Sequence, residues 1–426
     1  MFSVITMSED WENIILLSAD ALRADHLSCY GYHRDTSPIL DDLVEESIRF
    51  ANAYSASSHT REAVPALLTG KYPDIAVDSE YHLDSDTIAS TLSEEGYATA
   101  GFHSNPFVSR AYGFDRGFDV FDDDLHLGQH KIIALAQRAL DKVRNRHYAR
   151  AEEINERSLD WIDSLDDGDP FFLWNHYMDT HGPYEPPGEY ATLYSEQDLS
   201  DRDAQSLYQR AIDNPESITE TEQQLLIDLY DAEIRYNDEY IGTFLDELRE
   251  RGLLEQSLLI VTADHGDAFG EHGYYEHPRY LHDEIIKVPL VVRPPSGRNE
   301  VVKTPVSTLD VGATIKSAVG VAAAGEGVSL LGTLPADRTV FCQARGEDEH
   351  SHLRRYASRS AGGACFCERD RELGRIKFGE YTDFTLCEEV ESHINERIRI
   401  DNGEPVNNKG EVNEEIERRL DALGYK

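Results

Sequence analysis

The apolar positions of this chain fall into short unbroken runs separated by stretches of helical spacing. Asn13–Ala19 (NIILLSA) is the first run, and its continuous apolar character predicts a parallel strand buried on both faces. It ends on Asp20. Ser37-Pro38 opens a helical pattern through Ile39, Leu40, Leu43 and Val44, and Asp86–Gly96 reads as a further helix. Tyr97–Phe102 is a second strand, and a polar, Arg/Glu-rich helical stretch over 129–167 leads into a third, Pro170–Trp174. Residues 196–235 form a helical acidic insertion continued by a helix over Asn237–Arg251. Ser257–Ala263 (SLLIVTA) is a fourth buried strand and ends on Asp264, and Lys287–Val292 (KVPLVV) is a fifth.

Strands alternating with helices predict an α/β fold, a mostly parallel sheet sandwiched by helices. Functional groups in such sheets gather just past the carboxyl ends of the strands. Asp20, Asp264 and the polar run after Trp174 all stand there. After Leu334 the pattern changes. Thr339–Ala344, Arg375–Phe378 and Thr382–Leu386 read as strands and Asn413–Leu423 as a closing helix, with Gly- and charge-rich loops between. The expected division is a catalytic domain over 1–335 and a small C-terminal α+β lobe over 336–426.

Between the first helix and the second strand lies NAYSASSHTREAVPALLTGKYP, residues 52–73. Val64, Ala66, Leu67 and Leu68 read as the buried face of a short helix stopped by Gly70. Thr60 stands at its mouth, where unpaired N–H groups and the positive dipole end favour an alkoxide or an anionic substrate. Pro65 predicts a helix that starts near Glu62, or a kinked first turn. A threonine at a loop-to-helix junction with no chemical role is the more ordinary reading of this segment alone, and the rest of the chain changes the balance.

Net charge changes the picture of partners. The 81 acidic side chains outnumber the 40 basic ones, for a formal charge of −41. A field of that sign repels nucleic acid and anionic membranes. The acids are interspersed through apolar-periodic segments, and lysine is scarce beside arginine, as in a protein that works in concentrated salt. The five cysteines, Cys29, Cys342, Cys365, Cys367 and Cys387, form no even framework. Cys365-Phe366-Cys367 lacks metal-knuckle spacing, so buried thiols in a reducing compartment are expected. No window approaches the ~18 apolar residues of a membrane span, and the first residues lack a basic leader, which points to a cytoplasmic protein.

Candidate chemistry centres on Asp264-His265-Gly266-Asp267, followed by Gly270-Glu271-His272-Gly273 and His277. An Asp and a His at one strand end, with Asp20 at another, suit one divalent ion held beside the Thr60 hydroxyl. The mixed oxygen–nitrogen set favours manganese or zinc, with calcium or magnesium as alternatives. Asp179-Thr180-His181-Gly182-Pro183-Tyr184 adds a carboxylate and an imidazole, although a capped loop histidine is as good a reading of His181.

These residues also carry a resemblance. NIILLSADALRADHLSCYGY (13–32) resembles the opening of the sulfatase family in the alkaline phosphatase superfamily. Thr60–Gly70 with Tyr72-Pro73 resembles its nucleophile block, and Asp179–Pro187 its His-x-Pro substrate loop. DHGDAFGEHG (264–273) with KVPLVV resembles its second metal block, and Ser307–Gly332 is similar to the segment that closes the catalytic domain. The resemblance covers roughly residues 12–335. It implies that Asp20, Asp264 and His265 are metal ligands and that Thr60 is both nucleophile and ligand. His181 and His277 then contact the transferred group and the leaving oxygen. Arg61 and Asp179 complete the substrate-facing candidates.

Two departures stand out. Sulfatases proper carry Cys-x-Pro-x-Arg or its Ser version, whose first residue becomes formylglycine; here those positions read Thr60-Arg61-Glu62-Ala63-Val64. The second Asp usual after the first strand is Ala21. A hydrolase or transferase of phosphate, phosphonate or sulfate esters, with phosphorus esters favoured and a small-molecule, glycan or lipid-linked substrate, is the leading reading. The alternatives are a catalytically inactive anion-binding module and a two-metal mutase or pyrophosphatase. The charge balance generates a prediction of its own. The melting temperature should climb steeply from low to molar salt as self-repulsion is screened. Thermal unfolding across that range checks it, and a flat profile would remove the high-salt reading.

Overall fold

The structure is a computed structural model that describes residues 12–124, 148–195, 197, 199–322, 325–379, 386–401 and 419. An eight-stranded sheet runs in the order Glu300–Val302, Ile48–Phe50, Leu290–Arg293, Ser257–Ala263, Asn13–Ala19, Phe171–Tyr177, Ala98–His103, Val120–Asp122. All neighbours pair parallel except Leu290–Arg293, which is antiparallel on both sides. The three central strands are buried at every position, as continuous apolar runs covered by helices on both faces require. This is the expected α/β architecture.

Three strand boundaries differ from the sequence reading, each for a local reason. The third strand continues past Trp174 through Asn175-His176-Tyr177. Its polar side chains are satisfied inside the protein by the helix Ala151–Ile162: Asn175 Nδ2 donates to Ser158 Oγ at 3.0 Å and the Tyr177 hydroxyl to Asn155 Oδ1 at 2.7 Å. KVPLVV is two strands, not one. Pro289 separates them, with Lys287–Val288 pairing Ala53–Tyr54 in a three-stranded sheet while Leu290–Arg293 joins the main one. The second strand is shifted by one residue, to Ala98–His103.

The acidic insertion and the helix after it are less separate than the sequence suggests. A helix over Asp201–Asp213 is followed by one 31-residue helix, Glu220–Glu250, opened by a capping box between Thr219 and Glu222. Beyond residue 339 lies a four-stranded antiparallel sheet, Val340–Arg345, Leu353–Ser360, Gly363–Asp370 and Arg375–Phe378, with a helix over Cys387–Asp401. Its two middle strands read as charged loops in the sequence. One face packs on the helical segment, where Tyr356, Cys365 and Cys367 meet Leu386, Val390 and Ile394; on the other, Ala357 and Phe366 pack toward Tyr54, Leu281 and Ile286 among paired arginines and carboxylates. Among the described residues the cysteines form no disulfide, and no helix is long and apolar enough to cross a membrane. The expected strand Thr382–Leu386 and helix Asn413–Leu423 lie outside the described residues, apart from Leu386 and Arg419, as does the helical stretch before residue 148.

Strand register is what positions the site. Ala19 stands level with both Tyr177 and Ala263. The next amides continue the ladder, Asp20 N–H donating to Tyr177 O at 2.8 Å and Asp264 N–H to Ala19 O at 3.2 Å. Both aspartates therefore leave the sheet at one level.

The long helix also fixes the first one. Asp238, 2% exposed, accepts the Ile39 and Leu40 N–H groups at 2.9 and 3.0 Å, which satisfies the start of the helix Pro38–Val44. Asp238→Ala leaves both donors buried and unmet, at a cost of about 1–3 kcal/mol. Denaturant unfolding checks this, with Asp238→Asn expected to retain part of the loss and an unchanged midpoint in Asp238→Ala counting against it.

Candidate active site

The helix Thr60–Thr69 begins two residues earlier than Pro65 suggests. His59 supplies the cap: its Nδ1 accepts the Arg61 N–H at 3.2 Å, and its carbonyl accepts Glu62 and Ala63 N–H, both at 2.9 Å. Pro65 then sits where its absent N–H removes only the bond to the Arg61 carbonyl. Gly70 ends the helix at φ 67°, with its N–H on Ala66 O.

Thr60 is fully buried, and its Oγ1 faces Asp20 and His265. It lies 3.4 and 3.5 Å from the two Asp20 oxygens and 3.1 Å from His265 Nε2. His265 Nδ1 is 2.8 Å from Gly266 O, which fixes the Nδ1–H tautomer and leaves the Nε2 lone pair on the Thr60 side. His265 Nε2 is also 3.5 Å from Asp20 Oδ1 and 3.6 Å from Asp264 Oδ2. Asp264 Oδ1 accepts N–H groups from His265 at 2.8 Å and Ala21 at 3.3 Å. Ala21 reaches it from a left-handed backbone conformation, φ 56°, that a residue with a Cβ seldom adopts. The structure thus brings together Asp20, Thr60, Asp264 and His265.

These donors fit a divalent cation. Asp264 Oδ2 is buried and no hydrogen-bond donor meets it in bonding geometry, an acceptor that a cation would satisfy. Electrostatics agree. Burial alone would raise the Asp20 carboxyl, but His181, His176 and His265 bring it well below the usual range. Asp264 is raised by burial and by the Asp20 charge beside it. The pair carries negative charge that the imidazoles only partly offset.

Two residues of the cage escape the sequence reading. His176 Nε2 lies 3.3 Å from Asp20 Oδ2, and its Nδ1 is 2.9 Å from Ser18 Oγ. Asp20, His176 and Asp264 place three ligand atoms within 4.8 Å of one another. A histidine two residues beyond Trp174, on the same strand face, is the signal that could have found it. Asn105 Nδ2 donates to Asp20 Oδ2 at 2.6 Å, while its Oδ1 accepts the Phe107 N–H at 2.8 Å. It follows the strand Ala98–His103, so the strand-end rule applied there points to it.

His181 and His277 meet above this cage, Nε2 to Nε2 at 3.1 Å, a spacing that lets the pair share one proton. The His277 ring is 4.3 Å from His265 and 5.2 Å from His59, centroid to centroid. Burial, then the neighbouring His265 and His181, push the His277 imidazole well down. His181 is raised: burial opposes its charge, but Asp20 and Asp267 outweigh it. His181 Nδ1 lies 2.6 Å from Gly182 O, which orients the ring.

Asp179 stands apart from this group. It is fully buried, and its oxygens serve the start of the helix Ala151–Ile162. Oδ2 accepts Ala151 N–H at 3.0 Å and Asn237 Nδ2 at 3.4 Å, and Oδ1 faces Arg150 Nη1 at 3.4 Å. A carboxylate at a helix N-terminus with an arginine beside it is a structural clamp, and the oxygens of Asp179 face that clamp. Arg61 sits half-buried at the rim, its guanidinium 4.0 Å from the Phe107 ring centroid and 5.2 Å from that of Tyr81.

The model of the Sulfatase family matches residues 12–321, and the chain belongs to that family. It is 23% identical over 366 residues to an N-acetylglucosamine-6-O-sulfatase of Bacteroides thetaiotaomicron, covering 66% of this chain and 63% of that protein. It is 25% identical over 319 residues to an arylsulfatase of Clostridium perfringens, covering 62% and 64%. The chain therefore spans less than two thirds of the length of these relatives. Among solved structures it is similar to a phosphonate monoester hydrolase from Silicibacter pomeroyi, with a TM-score of 0.68 and 20% identity over 91% of this chain and 94% of that one.

Glu62 ties the helix of Thr60 to the loop of His277. It is 1% exposed and pairs with Arg279 at 3.0 Å, itself 3% exposed, and with Arg345 of the antiparallel sheet at 3.4 Å. Glu62→Ala removes the buried partner of Arg279 and leaves it only the half-exposed Glu347, at a cost of about 3 kcal/mol. Equilibrium unfolding reads this directly, and a loss below about 1 kcal/mol would mean the pair is solvent-screened.

Proposed function

We propose that this chain is a metal-dependent hydrolase or transferase of anionic esters with Thr60 as nucleophile, and that it prefers phosphate and phosphonate esters to sulfate esters. The observation that carries this is the setting of Thr60 Oγ1: buried at the start of a helix, 3.1 Å from His265 Nε2 and 3.4 Å from Asp20 Oδ2. Asp20, Thr60, Asp264 and His265 would hold one divalent ion, manganese or zinc by the donor set, which supplies a lowered hydroxyl pKa and positive charge beside the transferred group.

The chain's own residues divide the remaining work. The first turn of the helix Thr60–Thr69 presents its dipole end to the anion, and Arg61 at the rim adds a permanent cation. Thr60 Oγ1, ionised by loss of its proton to solvent before the ester binds, forms a bond to phosphorus while the ester oxygen leaves. The departing oxygen takes the proton held between His181 and His277. Water or an acceptor alcohol then attacks phosphorus. The same histidine pair takes its proton, and the Thr60 Oγ1–phosphorus bond breaks to restore the alkoxide.

The second step favours phosphorus. A formylglycine hydrate expels sulfate by collapsing to its aldehyde. Thr60 has a single hydroxyl and no such exit, so a Thr60 sulfate needs direct attack of water on sulfur. Relatives named as sulfatases and a structural neighbour named as a phosphonate monoester hydrolase bracket the ester classes in question. A panel of matched aryl phosphonates, phosphodiesters, phosphomonoesters and sulfates, run with different divalent ions in high salt, tests the order. Thr60→Ala should lower kcat by at least about 100-fold, since a nucleophile has no substitute. Steady multiple turnover of an aryl sulfate, faster than every phosphorus ester, would overturn the proposed preference.

A further inference from the structure

The loop that brings His277 to the site carries a second group of donors that the proposed chemistry does not use. His272, His282 and Glu284 place three ligand atoms within 4.8 Å of one another. His272 Nε2 is 2.8 Å from Glu284 Oε1, and His282 Nδ1 is 4.0 Å from the same oxygen. A bare His272–Glu284 ion pair is the simplest account of this contact. It leaves two facts unexplained. Glu284 Oε1 is buried, yet no donor meets it in hydrogen-bond geometry, His272 at 2.8 Å included. A second imidazole also stands against the first, ring centroids 3.9 Å apart, in a place where two charged rings would repel.

Close atoms that do not form a hydrogen bond, two of them imidazole nitrogens and one a carboxylate oxygen, are what a shared cation organises. Donors each about 2 Å from a zinc ion stand roughly 3.3 Å apart, and the 2.8 and 4.0 Å spacings bracket that value. Tyr274 reaches His282 Nδ1 with its hydroxyl at 2.5 Å and is a further oxygen at the same spot.

The three residues form part of the wall of a cavity of about 790 Å³ between this loop and the antiparallel sheet. Tyr280 and Phe366 line it too, each covered by a guanidinium: Arg355 at 4.4 Å from the Tyr280 centroid and Arg359 at 4.3 Å from Phe366. We propose that His272, His282 and Glu284 bind a second divalent metal ion of the zinc class, separate from the Asp20 site, with an open coordination position toward this cavity. Two imidazoles and one carboxylate make a three-protein-ligand set, the kind that leaves a fourth position for water or an anionic oxygen ligand. Loading the site turns the His282 ring away from its tilted contact with His272, and the Tyr274 hydroxyl moves off Nδ1 or joins the ion.

The experiment uses the full chain, stripped of metal and titrated with cobalt(II) in molar salt against a competing chelator, so that the acidic surface does not contribute. The wild type should bind one equivalent more than the double variant His272→Gln/His282→Gln, and the absorption bands of a four-coordinate ion should disappear with that equivalent. Equal stoichiometry and equal spectra would overturn the proposal. Should the double variant fail to fold, crystals of the wild type soaked in zinc decide the matter by anomalous scattering. A peak among His272, His282 and Glu284 supports the site, and a peak at Asp20 alone overturns it.

Discussion

Everything at the centre of this molecule depends on holding two carboxylates, fully out of water, at one level of the sheet. Asp20 and Asp264 end adjacent parallel strands whose ladders continue one step further, through Asp20 N–H to Tyr177 O and Asp264 N–H to Ala19 O. Burying two like charges side by side is unfavourable unless something positive stands between them or near them. The molecule supplies part of that compensation in imidazoles, His176, His181 and His265, and in the Asn105 amide. The remainder is an unmet acceptor on Asp264. Thr60, set at the start of its helix against the same carboxylates, takes its chemical character from that incomplete balance.

The peripheral structure serves the same arrangement. Glu62 lies two residues beyond Thr60 and is buried between Arg279, two residues beyond His277, and Arg345 of the antiparallel sheet. One carboxylate thus links the proposed nucleophile, the proposed proton carrier and the C-terminal sheet. In the pattern that the sequence resembles, that position is a proline and the arginine lies two residues later on the same helix. Here the cation that faces the helix comes from another segment of the chain. Asp179 plays a comparable part on the opposite side, joining the loop of His181 to the helix Ala151–Ile162 and to Arg150.

How far this was legible in the sequence follows from what each residue needs. Asn13–Ala19 and Ser257–Ala263 are strands at the boundaries that their apolar runs predict, because a strand buried on both faces has no other composition. The acids that terminate them were visible for the same reason. His176 was hidden because a polar residue inside a buried strand looks like the end of that strand until its partners, contributed from distant segments, are known. The hairpin Leu353–Asp370 was hidden because its arginines and glutamates pair with each other and with the loop beside it, so that half of each strand reads as solvent-facing loop. Asp179 misled in the opposite direction. Its position beside His181 in sequence suggested a shared cleft, whereas its carboxylate points to a helix end that adjacency does not reveal.

The central claim is that Thr60 Oγ1 carries the transferred group between the two halves of the reaction. The most direct measurement is a trapped intermediate. The full chain is mixed with an activated aryl phosphonate or phosphate ester, quenched in acid during the first turnover, and mapped by peptide mass spectrometry. One phosphonyl or phosphoryl group is expected, located on Thr60. The group on a different side chain, or a burst of released aryl alcohol with the Thr60 peptide unmodified, would contradict it.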